Sequence, residues 1–291
     1  MKKAYFKYIL ALLLFGSNGI VVSHIALVSY QIVFLRTVIG SLLLLMFFLL
    51  SKGKFTFWQH KRQFAFLAIS GIAMGSSGLF LYEAFNQIGV GVASLAYYCG
   101  PVIVMVLSPL LFHERLTSPK IIGFLMVLCG ILLVNGQAFY EGKTVWGLFC
   151  GGMSAVMYAL MVIFNKKAVD IKGMENSTLQ LAISFLPVVI FCLIKHGLFI
   201  QIPGGAWIWI LVLGVFNTAI GCYLYFSSIG SLPVQTVSIC GYLEPLTAVV
   251  SSAIFLHETM NTLQVCGAVM IIGGAVIGEC FLKKKVQEAY I

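Results

Sequence analysis

Glu244 is the residue of this 291-residue chain with the most chemistry open to it, because it is the one charged group between Val234 and Leu256. A carboxyl group near the middle of a membrane-sized helix costs on the order of 2.5–3.5 kcal/mol, so it must face a partner or a wet cavity. There it can carry a proton or hold a cation. Gly241, Thr247, Ala248 and Ser251 share its helical face at spacings of three, four and seven. The structural alternative is a buried glutamic acid kept neutral by a neighbour.

Arg36 and Glu83 are a second pair of charges in apolar surroundings. Helical rise places them about 10 Å and about 5 Å from the same end of consecutive helices. Each would offset the other's desolvation, so a mutual ion pair is expected, serving as an outer gate that breaks when a cavity opens. Tyr98 and Tyr242 each precede a proline by three residues, Pro101 and Pro245. A mid-helix proline removes a backbone donor and kinks the helix, leaving carbonyls that only protein or a water-filled cavity can satisfy. Paired kinks would line such a cavity with the two tyrosines. Asn18, Tyr82, Tyr158, Asn217 and Tyr225 are further substrate-contact candidates, against the plainer roles of interhelical glue and interfacial belt.

Other groupings fall short of a chemical motif. His113-Glu114 and His257-Glu258 begin a zinc-protease HExxH pattern, but neither has the second histidine, and Glu114 and Glu258 are read as caps or loop pins. The 8 cysteines are scattered singly, with neither metal-ligand nor redox spacing. Gly89-Val-Gly91 is a fragment of a phosphate-cradling loop and precedes an apolar span. No catalytic residue, metal site or cofactor is expected.

The elements that must position these residues follow from composition. The chain is 60% hydrophobic and 9% charged, with a mean hydropathy of +1.03, which excludes a soluble domain. A spanning helix needs about 20 mostly apolar residues. Ten spans are expected, near 8–27, 30–50, 64–86, 90–112, 119–137, 146–165, 178–194, 207–229, 234–256 and 262–282. Continuous apolar runs exclude a β-barrel. Lys2, Lys3 and Lys7 ahead of the first run resemble a secretory signal, but membrane sequence follows, so an uncleaved first span is expected. With cytoplasmic termini, the loops and ends from Lys2 to Lys285 hold all Lys and Arg inside except Lys143, Lys195 and the intramembrane Arg36. That asymmetry obeys the positive-inside rule and accounts for the net charge of +9 without nucleic acid.

The sequence also repeats itself. Val90–Gly130 returns as Val234–Gly274 at a constant shift of 144, with Pro101, His113, Glu114, Gly123 and Gly130 reappearing as Pro245, His257, Glu258, Gly267 and Gly274. Five spans per half would insert the halves in opposite senses, making 1–143 and 144–291 inverted repeats. Gly71, Gly75 and Gly78, and separately Gly274 and Gly278, are spaced for close helix packing; a homodimer contact is a second use of the latter pair.

Pro101, then Glu114-Arg115-Leu116-Thr117, Gly123 and Gly130, repeated as Pro245, Glu258-Thr259, Gly267 and Gly274, resemble the EamA-like family of the drug/metabolite transporter superfamily. Phe15-Gly16-Ser17-Asn18 and Phe34-Leu35-Arg36 add to the resemblance. It implies an all-α carrier of ten helices in two inverted five-helix repeats, working by alternating access on amino acids or other small metabolites. Gln180 in place of a second Arg36, and Tyr158 where many relatives have Trp, depart from the pattern. The expected function is secondary transport of a small polar metabolite, as an exporter in the cytoplasmic membrane. If a proton is coupled, Glu244 carries it. A carrier of a small organic cation, with Glu244 and the tyrosines as a cage, is the alternative; a lipid-head-group carrier subunit ranks lower. An enzyme would need converging acid, base or metal groups, and a scaffold has no use for an intramembrane Glu.

Overall fold

The computed structural model describes residues 2–135, 145–195, 200–255 and 262–288. Lys143 and the pair His257-Glu258 lie outside them. The described residues contain helices and no strands. Six helical runs are long and apolar enough to cross a membrane: Lys2–Ser23, Ser29–Leu50, Lys61–Ile88, Val145–Lys167, Gly173–Lys195 and Gly204–Ile229. Cys99–Phe112, Ser118–Leu133 and Val265–Gly278 are apolar but shorter. Large side chains such as Leu42, Leu110, Ile194 and Val269 remain exposed around the outside, as suits helices solvated by lipid.

Several expected spans are broken, each for a local reason. The first is α1 (Lys2–Gly16) followed by α2 (Asn18–Ser23), interrupted at Ser17, whose hydroxyl donates to the Leu14 carbonyl at 2.7 Å. α3 (Ser29–Leu50) is continuous. α4 (Lys61–Tyr97) and α5 (Cys99–Phe112) meet at Tyr98, while α11 (Val234–Gly241) and α12 (Leu243–Phe255) meet at Tyr242. Both interruptions lie one turn before Pro101 and Pro245. Those prolines have no N–H for the carbonyls of Tyr97 and Gly241, four residues back. The expected spans 90–112 and 234–256 are therefore each two helices joined at a tyrosine.

α4 hides a reversal. A Cβ on Gly151 would stand 2.7 Å from the Ala96 methyl and 4.0 Å from that of Ala84. Twelve residues of straight helix would separate those alanines by about 18 Å, so the chain folds back within its helical hydrogen bonding.

α6 (Ser118–Asn135), α7 (Val145–Lys167) and α8 (Gly173–Lys195) follow, then α9 (Trp207–Val212), a π-helix over Leu213–Ile220 and α10 (Gly221–Ile229). The last described helix is α13 (Thr262–Glu288). Small residues set the closest approaches. A Cβ on Gly71 would meet the Ile183 side chain at 2.7 Å, seating α4 on α8. Ser70 and Ser77 donate to the carbonyls of Met161 and Ser154, tying α4 to α7. α6 and α13 pack through glycines: Gly123 approaches Gly274 and Gly278, and Gly130 approaches Gly267. The two helices thus run antiparallel, and each contact is the image of the other under the 144-residue shift. Gly274 and Gly278 are used within the chain, which leaves that stripe no room for a second copy.

Candidate functional site

The interruptions and glycine contacts surround a cavity of about 600 Å³. Its walls come from α1–α4, the junction residue Tyr98, α7, the π-helix, α10 and α12, so both parts of the repeat contribute. Arg36, Glu244, Asn18, Asn217, Tyr82, Tyr98 and Tyr158 all line it. It runs toward Ser23, Ser29 and Asn86, at the face opposite the start of α1.

The polar groups divide into engaged and unengaged sets. Asn217 donates from Nδ2 to the Leu14 carbonyl at 2.7 Å and to Ser17 Oγ at 3.0 Å, clasping the break between α1 and α2. The π-helix supplies this reach, since its wider turn shifts Asn217 and Thr218 together onto the cavity wall. Tyr158 and Tyr225 meet hydroxyl to hydroxyl at 3.4 Å. Phe15 and Tyr97 complete an aromatic wall, with ring centroids 5.8 Å from Tyr225 and 5.3 Å from Tyr158.

Arg36, Glu244 and Asn18 belong to the unengaged set, as do Tyr82 and Asn86. Among the described residues, Arg36 Nε and Asn18 Oδ1 are buried without any hydrogen-bond partner. Arg36 acts electrostatically on Glu244, yet no ion pair within 4.0 Å joins them, and Glu244 makes no hydrogen bond to the described residues.

The expected Arg36–Glu83 ion pair is absent. Glu83 Oε1 accepts from Gln87 Nε2 at 3.2 Å and Trp146 Nε1 at 3.4 Å, and Glu83 does not line the cavity. Glu83 turns to Trp146 of α7, while Arg36 lines the cavity with Glu244. Tyr242 also departs from expectation. It is fully buried, away from the cavity, and its hydroxyl donates to the Tyr98 carbonyl at 2.8 Å, satisfying a backbone group at the interruption. Pro101 and Pro245 act through the breaks and do not line the cavity. Gly100, the repeat partner of Glu244, has no room for a side chain: its Cβ would sit 2.6 Å from the Tyr158 ring. Gln180, the partner of Arg36, is buried in an amide network with Asn165 and Asn176.

Tyr97, Met74, Ser77 and Cys222 also line the cavity. Tyr97 alone carried a signal in the sequence, as the neighbour of Tyr98 at a proline-induced break. The others are ordinary residues in apolar helices until packing selects their face.

At the face where α1 begins, the cavity is shut by ties from one part of the repeat to the other. Tyr8 donates to the Val237 carbonyl at 2.7 Å. Glu114 accepts from the backbone N–H groups of Val234 at 2.7 Å and Gln235 at 3.1 Å, capping α11 from across the molecule. Lys120 donates to Gln235 Oε1 at 2.6 Å across the same boundary, while Lys166 donates to the carbonyls of Ile229 and Leu232 within the second half. The reading of Glu114 as a cap is correct in kind, but the helix that it caps belongs to the other half. Glu114→Ala is expected to cost about 1.5–3 kcal/mol, the worth of hydrogen bonds to a charged group. Thermal unfolding of the purified variant in detergent measures that loss.

The EamA-like transporter family model matches residues 2–136 and again 145–278. YxxF, an uncharacterized transporter of Bacillus subtilis (strain 168), is 26% identical over 274 residues, spanning 93% of this chain and 88% of its own. RhtA, a threonine/homoserine exporter of Salmonella typhimurium, is 25% identical over 264 residues, spanning 87% of this chain and 82% of its own. A protein of known crystal structure shares the fold with a TM-score of 0.81 at 18% identity, over 96% of this chain and 98% of its own.

Proposed function

We propose, because this chain belongs to the EamA-like transporter family, that it exports a small polar metabolite, an amino acid or a close relative, across the cell membrane. The observation that carries the proposal is a cavity of about 600 Å³ that holds an unpaired Arg36 and Glu244 within an apolar helical bundle. Intramembrane charges without a structural partner mark a solute pathway. The likeness to RhtA supports an amino acid or a relative of one as cargo.

The mechanism is alternating access between two inverted halves of five crossings, with both termini in the cytoplasm. The antiparallel glycine contacts of α6 and α13, each the image of the other under the 144-residue shift, support that inversion. With the termini inside, the ties at Tyr8, Glu114 and Lys120 close the cytoplasmic face and leave the cavity to open outward. Their rupture, with closure around Ser23 and Asn86, gives the inward-open state. Flux is driven by solute gradients, with a proton on Glu244 where transport is coupled.

Purified protein in liposomes tests this with a radiolabelled panel of the protein amino acids and their hydroxylated relatives. At least one member is expected to cross at ten or more times the rate in empty liposomes. A panel that crosses no faster than in the empty control overturns the amino-acid assignment.

A further inference from the structure

We infer that the cavity recognises its solute as a zwitterion, with Arg36 taking the carboxylate and Glu244, seconded by Asn18, taking the ammonium group. The inference rests on the reading of the chain as a carrier of amino-acid-like metabolites and narrows its cargo to molecules bearing both charges.

Arg36, Asn18 and Glu244 are among the cavity's polar side chains left without a hydrogen bond to the described residues, and they are complementary. Arg36 offers only donors, and its Nε is buried and unpartnered. Asn18 Oδ1 is a buried, unpartnered acceptor, and the Glu244 carboxylate is a second acceptor. The two acceptors belong to elements that touch: a Cβ on Gly16 would lie 2.6 Å from the Glu244 carbonyl, and α2 packs on α12. Arg36 stands on α3 and lines the same cavity as Glu244, with no ion pair between them within 4.0 Å. The gap matters. Opposite charges in apolar surroundings gain most by closing on each other, unless something else is to be held between them.

A planar guanidinium matches a carboxylate bidentately, and an ammonium with three donors suits a carboxylate plus an amide oxygen. An α-amino acid presents these two groups on one carbon, so it can bridge Arg36 and Glu244 and leave each charge paired. A lone organic cation would satisfy Glu244 and leave Arg36 facing a like charge, while an anion would do the reverse. The aromatic wall of Phe15, Tyr97, Tyr158 and Tyr225 is left for the solute's side chain. The cavity, within the usual range for small-ligand pockets, does not restrict that side chain to a small one.

The test uses the amino acid moved fastest in the liposome panel, its methyl ester and its N-acetyl derivative, as competitors of that amino acid's own transport. In the unmodified protein both blocked derivatives are expected to compete at least tenfold more weakly than the free amino acid. Arg36→Gln should erase the difference between acid and ester, and Glu244→Gln the difference between free and acetylated amine. If the ester or a quaternary ammonium compound competes as well as the amino acid in the unmodified protein, the two-point recognition is wrong while amino-acid transport stands. Retention of the full discrimination by folded Arg36→Gln and Glu244→Gln overturns it in the same way. Should the panel itself not move, it is the transport reading that has failed. The competitor series needs no variant to fold, so a variant lost to misfolding leaves the comparison decisive.

Discussion

Glu244→Gln is expected to lower transport at subsaturating solute by roughly 10- to 100-fold, the equivalent of about 1.5–3 kcal/mol for a hydrogen bond to a charged group. The fold should survive it. Glu244 makes no hydrogen bond to the described residues, so its removal orphans no partner, and a neutral amide of the same shape is cheaper to bury than a carboxylate. Thermal stability in detergent should therefore stay level or rise while transport in liposomes collapses. That opposition separates a solute-binding carboxyl from a structural one. A variant that loses both together would place Glu244 in the scaffold, and one that keeps both would remove it from the pathway. The pH profile adds a second readout: a flat profile in Glu244→Gln assigns it any coupled proton, and an unchanged one places that proton elsewhere.

Gly123→Ala should have the largest effect on stability. The added Cβ would lie 2.7 Å from the Gly278 nitrogen and 2.9 Å from its Cα, so the obstacle is backbone and no side chain can rotate away. Overpacking typically costs about 1–3 kcal/mol, and the upper end is expected at a contact between two helix backbones. Gly152→Ala is the matched control, because nothing lies within 4 Å of a Cβ there. Size-exclusion chromatography of the detergent-solubilised proteins should show Gly123→Ala largely aggregated and Gly152→Ala monodisperse. Equal behaviour of the two would contradict the close approach of α6 to α13.

Much of the architecture was legible in the residues. Pro101 and Pro245 announced interruptions in two helices, and the tyrosines that stand at those breaks were marked by the same spacing. The paired glycines announced tight helix contacts. Glu244, Arg36, Asn18, Asn217, Tyr98, Tyr82 and Tyr158 do gather at one cavity. The errors share one form: Glu83 was assigned a partner by depth, and Tyr242 was assigned to the cavity by analogy with Tyr98. The pairing of Tyr242 with the Tyr98 carbonyl crosses 144 residues and leaves no trace in local pattern.

Composition alone determined that the chain is a helical membrane protein, and its repeated Pro, His-Glu and Gly motifs pointed to a family that the comparisons then bore out. Position within an apolar run likewise sets the depth expected of each polar residue, because helical rise converts residue number into distance. What only the tertiary structure decided is the direction in which each residue points. A helix that is apolar on every side has no polar face to reveal which side turns inward. The choice falls to packing: Gly100 admits Tyr158, Gly16 admits the backbone at Glu244, and the π-helix carries Asn217 to the break in the first span. Packing leaves Arg36 and Glu244 lining one cavity while Glu83 turns to Trp146, and so brings two isolated charges into one site.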